Sequence, residues 1–79
     1  MVNHMKKSDF IDELKEIFDV DVLSENQKLS ELKEFDSLAA MSIAALVRAQ
    51  FDINISVRAV KECDTIENLI SIIGADKFN

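Results

Sequence analysis

The sequence predicts an all-α protein, a small four-helix bundle with a long loop between the first two helices and a short third helix. Apolar residues recur at spacings of three and four in several segments, and no segment of useful length alternates as a strand would. The chain has 79 residues, of which 48% are hydrophobic, enough for one small domain with a modest core. These observations are typical of helices packed around a single core.

The first helix is predicted to end where the apolar spacing of three and four residues stops, and a long loop follows it. The helix is predicted to begin near Ser8, a candidate N-cap, and its apolar face consists of Phe10, Ile11, Leu14, Ile17 and Phe18. From Asp19 to Phe35 the pattern fades into a polar connection interrupted by leucines, which we expect to contact the core. Loops of this length in a compact domain are usually functional.

The second helix is predicted from residue 36 or 37 to residue 50 or 51 and carries two apolar stripes. One stripe is sufficient to line a small core: Ile43, Val47 and Phe51, with Ala44 beside them. The other begins one position after Ser37 and consists of Leu38, Met41 and Ala45. The pattern leaves two interpretations open, either a central helix buried on most sides or an exposed docking surface beside the serine, with Met41 as an adaptable contact.

The last two helices follow a short extended connection. Ser56 is expected to cap a third helix over residues 57–62, and Asp64 or Thr65 to begin a fourth that Gly74 ends. The inward stripe of the fourth helix is Ile66, Leu69, Ile70 and Ile73. We divide the chain into a leader that is disordered or partly foreign to the natural protein, a folded domain and a C-terminal tail, which are residues 1–7, 8–74 and 75–79.

Charge and residue content exclude several functions. The formal net charge of −6 would be repelled by nucleic acid and by an anionic membrane. No apolar run approaches the roughly 20 residues that span a bilayer, and the amino terminus lacks a signal-peptide pattern, so we expect a cytoplasmic protein. The only histidine, His4, lies far from the only cysteine, Cys63, so we expect no metal site, no catalytic residues and a structural role for the thiol.

Ser37 is the most informative residue of the chain. It follows Phe35 and Asp36 and opens the second helix, where the first-turn N–H groups lack intrahelical acceptors and carry the positive end of the macrodipole. A phosphoester on this hydroxyl would therefore lie in a favourable field. The plain alternative is a serine that only caps the helix. Because no base lies beside Ser37 in the sequence, we do not expect a self-sufficient hydrolase.

The chain resembles the acyl and peptidyl carrier proteins over roughly residues 8–73. The matching features are the long first loop, the Asp36-Ser37-Leu38 motif, the segment Phe51-Asp52-Ile53-Asn54-Ile55 and the last helix opened by Thr65. This resemblance implies the acyl-carrier-protein bundle and 4′-phosphopantetheine, transferred from coenzyme A to Ser37 with Asp36 supporting the motif. We take the residues that contact partner enzymes to be Phe35, Leu38, Met41, Ala45 and Glu62.

The resemblance also implies the partners of the protein. They are a phosphopantetheinyl transferase, a ligase that activates an acyl or aminoacyl group, and a downstream transferase or synthase that takes the group from its thioester; the carrier itself would be a monomer. Two departures favour a specialised carrier over one of standard fatty-acid synthesis. First, the second helix contains no acid and one arginine, Arg48. Second, Lys33-Glu34-Phe35 stands where such carriers commonly have a shorter, glycine-containing segment before the serine.

A different class of function remains open. The stripe of Leu38, Met41 and Ala45 could serve an interaction adaptor that is never modified. The acids expected around the second helix are few and lie outside it: Glu31, Glu34, Asp36, Glu62 and Asp64. Docking of the carrier to its partners should therefore depend more on apolar contact than on charge steering from this helix.

Overall fold

A computed structural model describes residues 5–33 and 35–78 and has the predicted all-α architecture. The four α-helices are α1 (Lys7–Phe18), α2 (Ser37–Phe51), α3 (Val57–Lys61) and α4 (Ile66–Ile73), with short 3₁₀ turns at Leu29–Glu31 and Ala75–Lys77. Between residues 5 and 78, Glu34 excepted, β pairing is limited to two isolated bridges, Met5 with Phe78 and Lys28 with Thr65. His4 of the predicted leader and Glu34, three residues before Ser37, lie outside the described residues. None of the helices described is long and apolar enough to cross a membrane.

The core lies between all four helices and the long loop. The largest of its side chains with less than 2% exposure are Phe10, Phe18, Leu14, Leu29, Ile43, Ile66, Leu69, Val47 and Val60. One end of the core is aromatic, because the ring of Phe78 lies 5.3 Å from that of Phe10 and 4.9 Å from that of Phe51. Phe78 belongs to the segment assigned to the tail, so the turn after α4 returns the chain to the core, a contact that helical periodicity does not reveal.

Side-chain hydrogen bonds cap three of the four described α-helices at their N-terminal ends. Thr65 and Asn68 form a capping box at the start of α4, Ser56 caps α3, and Gly74 ends α4 with φ +114°, as predicted. The prediction for Ser8 is wrong. The N-cap of α1 is Lys6, whose side chain makes no capping bond, and the helix begins at Lys7, one residue before the serine. The neighbouring Met5 forms a bridge with Phe78.

The long loop is attached to the core and to the start of α4. Leu23 and Leu29 are buried, which confirms the expectation that leucines hold the loop to the core. The first-turn amides of α4 donate to loop carbonyls, Ile66 to Gln27 at 3.2 Å and Glu67 to Glu25 at 2.8 Å. These N–H groups have no acceptor within their own helix, so the loop satisfies them.

Candidate functional site

The start of α2 is determined by the side chain of Asp36. Its carboxylate accepts a hydrogen bond from the backbone N–H of Ala39 at 2.9 Å, and its carbonyl accepts one from Ala40 at 3.0 Å. With φ −127° and ψ −170°, Asp36 is extended and is the N-cap. Ser37 is therefore the first residue of the helix and not its cap, which removes the plain capping explanation for the serine.

The hydroxyl of Ser37 is exposed and has one side-chain partner among the described residues. Lys61, the last residue of α3, donates from Nζ to Ser37 Oγ at 3.2 Å. An ammonium group is a donor only and cannot accept the hydroxyl proton, so this contact does not create an activated nucleophile. The geometry suits a hydroxyl that another protein approaches and modifies.

An apolar patch lies beside this hydroxyl on the outward face of α2. Leu38 is 72% exposed and Met41 is 54% exposed, and Ala45 is also exposed. The opposite face of the helix is buried and consists of Ala39, Ala40, Ile43, Val47 and Phe51. The interpretation of α2 as a helix buried on most sides is therefore wrong, and the second stripe is open to a partner.

The two remaining predicted contact residues lie in different settings. Phe35 is half-buried, with its ring edge-on to that of Phe18 at a centroid distance of 6.0 Å. This contact holds the end of the loop against α1, immediately before the N-cap of α2. Glu62 is exposed at the end of α3 and pairs with Arg58 at 3.7 Å. A partner can reach Glu62 freely but only part of Phe35.

Charges on the α2–α3 side are mixed. Arg48 on α2 pairs with Asp52 at 3.8 Å, and Arg58 on α3 pairs with Glu62. Lys61 adds a further cation directly at the serine. Sequence reasoning did not identify this lysine, because it lies 24 residues from Ser37 and no local motif connects the two.

The single cysteine is not poised for reaction. Cys63 is half-buried after α3 and donates its S–H to the carbonyl of Ala59 at 3.4 Å. Burial, and secondarily the negative charge of Glu62, raise the pKa of this thiol above its ordinary value, so the thiol stays protonated. Cys63 lines an open groove of about 670 Å³ between α3 and α4, together with residues such as Ile55 and Ile72.

Comparison with protein families gives a match over most of the chain. The family model described as phosphopantetheine attachment site matches residues 8–73. The matched segment runs from the first turn of α1 to the last residue of α4 and contains the whole arrangement around Ser37. No curated protein and no solved structure matches the chain in the same comparisons.

Proposed function

Because this chain belongs to the phosphopantetheine attachment site family, we propose that Ser37 is the residue to which the cofactor is attached. The family carries 4′-phosphopantetheine covalently, and its members are carrier proteins on which other enzymes act rather than enzymes themselves. The observation that supports Ser37 most strongly is its exposed hydroxyl in the first turn of α2, directly after the Asp36 cap.

The residues around Ser37 fit such an attachment. The hydroxyl lies at the surface, so a phosphodiester there would remain hydrated and would displace no core side chain. The first-turn amide of Leu38 and the side chain of Lys61 offer positive character on this side. Asp36 supports the motif by capping α2 and keeping the serine in the first turn.

The modification requires an external transferase. Ser37 Oγ forms a bond to the phosphorus next to pantetheine in coenzyme A, and the bond between that phosphorus and the bridging pyrophosphate oxygen breaks, so that adenosine 3′,5′-bisphosphate leaves. The hydroxyl proton passes to a base on the transferase, because the ammonium of Lys61 cannot accept it. A metal ion held by the transferase would stabilise the charge on the phosphates. Once attached, the arm supplies a thiol that carries groups as thioesters.

We propose that the cargo is an acyl or aminoacyl group activated by a dedicated ligase and passed to a downstream transferase or synthase. The exposed patch of Leu38, Met41 and Ala45 would contact these enzymes, with Phe35 and Glu62 at its edge. Because α2 carries no acid, contact would be mainly apolar, which supports a specialised carrier. A cytoplasmic, monomeric protein is part of the same proposal.

Transfer from coenzyme A by a promiscuous phosphopantetheinyl transferase tests this function. We expect the intact mass to increase by one phosphopantetheine in the wild type and not in Ser37→Ala. Ser42→Ala is the matched control, because Ser42 is also exposed on α2, and it should be modified normally. No increase in the wild type would instead favour an unmodified interaction adaptor, which the exposed Leu38 and Met41 would also suit. An increase that persists in Ser37→Ala would refute the assignment of the site.

A further inference from the structure

Lys61 contacts the serine although it belongs to another helix. Its position is determined by α3, which begins after Ser56, whose hydroxyl accepts from the N–H of Ala59 at 3.0 Å. Five residues of helix then place Lys61 at the end of α3, with Nζ 3.2 Å from Ser37 Oγ. Among the described residues, this contact is the side-chain hydrogen bond that links α2 to α3.

Among the cations on the α2–α3 side, Lys61 is also the one without a carboxylate partner in the described part of the chain. Arg58 is paired with Glu62 at 3.7 Å, and Arg48 is paired with Asp52 at 3.8 Å. The ammonium of Lys61 instead donates to a neutral hydroxyl, a weaker acceptor than a charged oxygen. An anion placed on Ser37 would therefore meet a positive charge already within hydrogen-bond distance of its point of attachment.

We propose that Lys61 is the phosphate-binding residue of the attached arm, an inference that rests on the proposed function of Ser37. After modification, Oγ becomes an ester oxygen, and the negative charge lies on the two non-bridging oxygens of the same phosphorus. Lysine has a flexible stem and binds phosphate as a point charge, so Nζ can shift from Oγ to one of these oxygens without movement of α3.

The ion pair between Lys61 and the phosphate offsets the repulsion between the phosphate and the carboxylate of Asp36. Asp36 carries a carboxylate one residue before the serine, and the chain as a whole has a net charge of −6. A phosphodiester on Ser37 adds another negative charge to this region. Lys61 balances it and restrains the first bonds of the arm at the junction of α2 and α3, while the thiol end remains free to move.

Phosphorus NMR and thermal unfolding of the loaded protein test the role of Lys61. The wild type, Lys61→Gln, Lys61→Arg and the control Arg58→Gln are loaded from coenzyme A until the intact mass shows complete modification. Arg58 lies on the same short helix and is exposed, so its removal changes the net charge equally without removing the cation at Ser37. Circular dichroism of each variant verifies the helical fold.

We expect the ³¹P resonance of the phosphodiester to move in Lys61→Gln, to return towards the wild-type position in Lys61→Arg, and to be unchanged in Arg58→Gln. The change in Tm on loading should be less favourable in Lys61→Gln than in the wild type by about 2–4 °C, the size expected for an exposed ion pair in a domain of this length. This difference should shrink at high salt.

Two results would overturn the inference, and they are distinguishable. If the wild type is modified at Ser37 but Lys61→Gln and Arg58→Gln give the same ³¹P shift and the same change in Tm, the lysine does not bind the phosphate, and the proposed function stands. If the wild type gains no phosphopantetheine, both the function and the role of Lys61 are refuted.

Discussion

Replacing Asp36 tests whether this residue stabilises the fold by capping α2, is recognised by the transferase, or does both. Its carboxylate accepts from the N–H of Ala39 at 2.9 Å, and this bond is removed in Asp36→Ala. Loss of an N-cap of this kind costs about 1 kcal/mol of folding free energy. For a domain of this size we therefore expect Tm to fall by about 4–8 °C, measured by circular dichroism.

Asp36→Asn separates the cap from the charge. The amide oxygen of asparagine can still accept from Ala39, so most of the lost stability should return. The rate of phosphopantetheine transfer is then compared at a temperature where both variants are folded. If the transferase recognises the carboxylate, Asp36→Asn should be modified as slowly as Asp36→Ala in spite of its intact cap.

Two outcomes would contradict this reasoning. An unchanged Tm in Asp36→Ala would show that the capping bond contributes nothing to the stability of α2. Normal transfer to Asp36→Asn would show that the negative charge is not recognised and that Asp36 supports the motif only by positioning Ser37.

Three further predictions concern the exposed patch, the thiol and the loop. Met41→Glu should leave Tm within about 2 °C of wild type, because the side chain is exposed, but should lower kcat/KM for transfer by about tenfold. The control Val22→Glu, at a position 82% exposed in the loop, should leave kcat/KM unchanged. Equal kcat/KM for the two variants would exclude the patch as the contact surface. Cys63 should react with a thiol reagent at neutral pH more slowly in the folded apo-protein than in urea, because partial burial raises the pKa of its thiol, whereas loading should add one fast thiol. Equally fast reaction of the folded apo-protein and the unfolded chain would show that the fold does not protect this thiol. Leu29→Ala should destabilise the domain by about 2–5 kcal/mol, measured by urea unfolding, since this side chain is fully buried, and a change below about 1 kcal/mol would show that the loop is not part of the core.

The helices and the caps of α3 and α4 were predictable because they depend on residues a few positions apart. Thr65 and Asn68 form their capping box within one turn, and Asp36 places Ser37 in the first turn of α2 by a bond to a residue three positions ahead. The error at Ser8 has the opposite origin. A serine near the start of a helix is a good local candidate, but α1 begins at Lys7, close to Met5, which pairs with Phe78 far away in the sequence.

The amino-acid sequence by itself determined the helical class, the position of Ser37 and the two stripes of α2, since each follows from periodicity or from a short motif. Only the tertiary structure decided which stripe faces solvent, that Phe78 joins the core and that Lys61 reaches the serine. Those outcomes depend on how helices distant in sequence pack together. Packing is a property of the whole set of apolar surfaces, which no local pattern specifies.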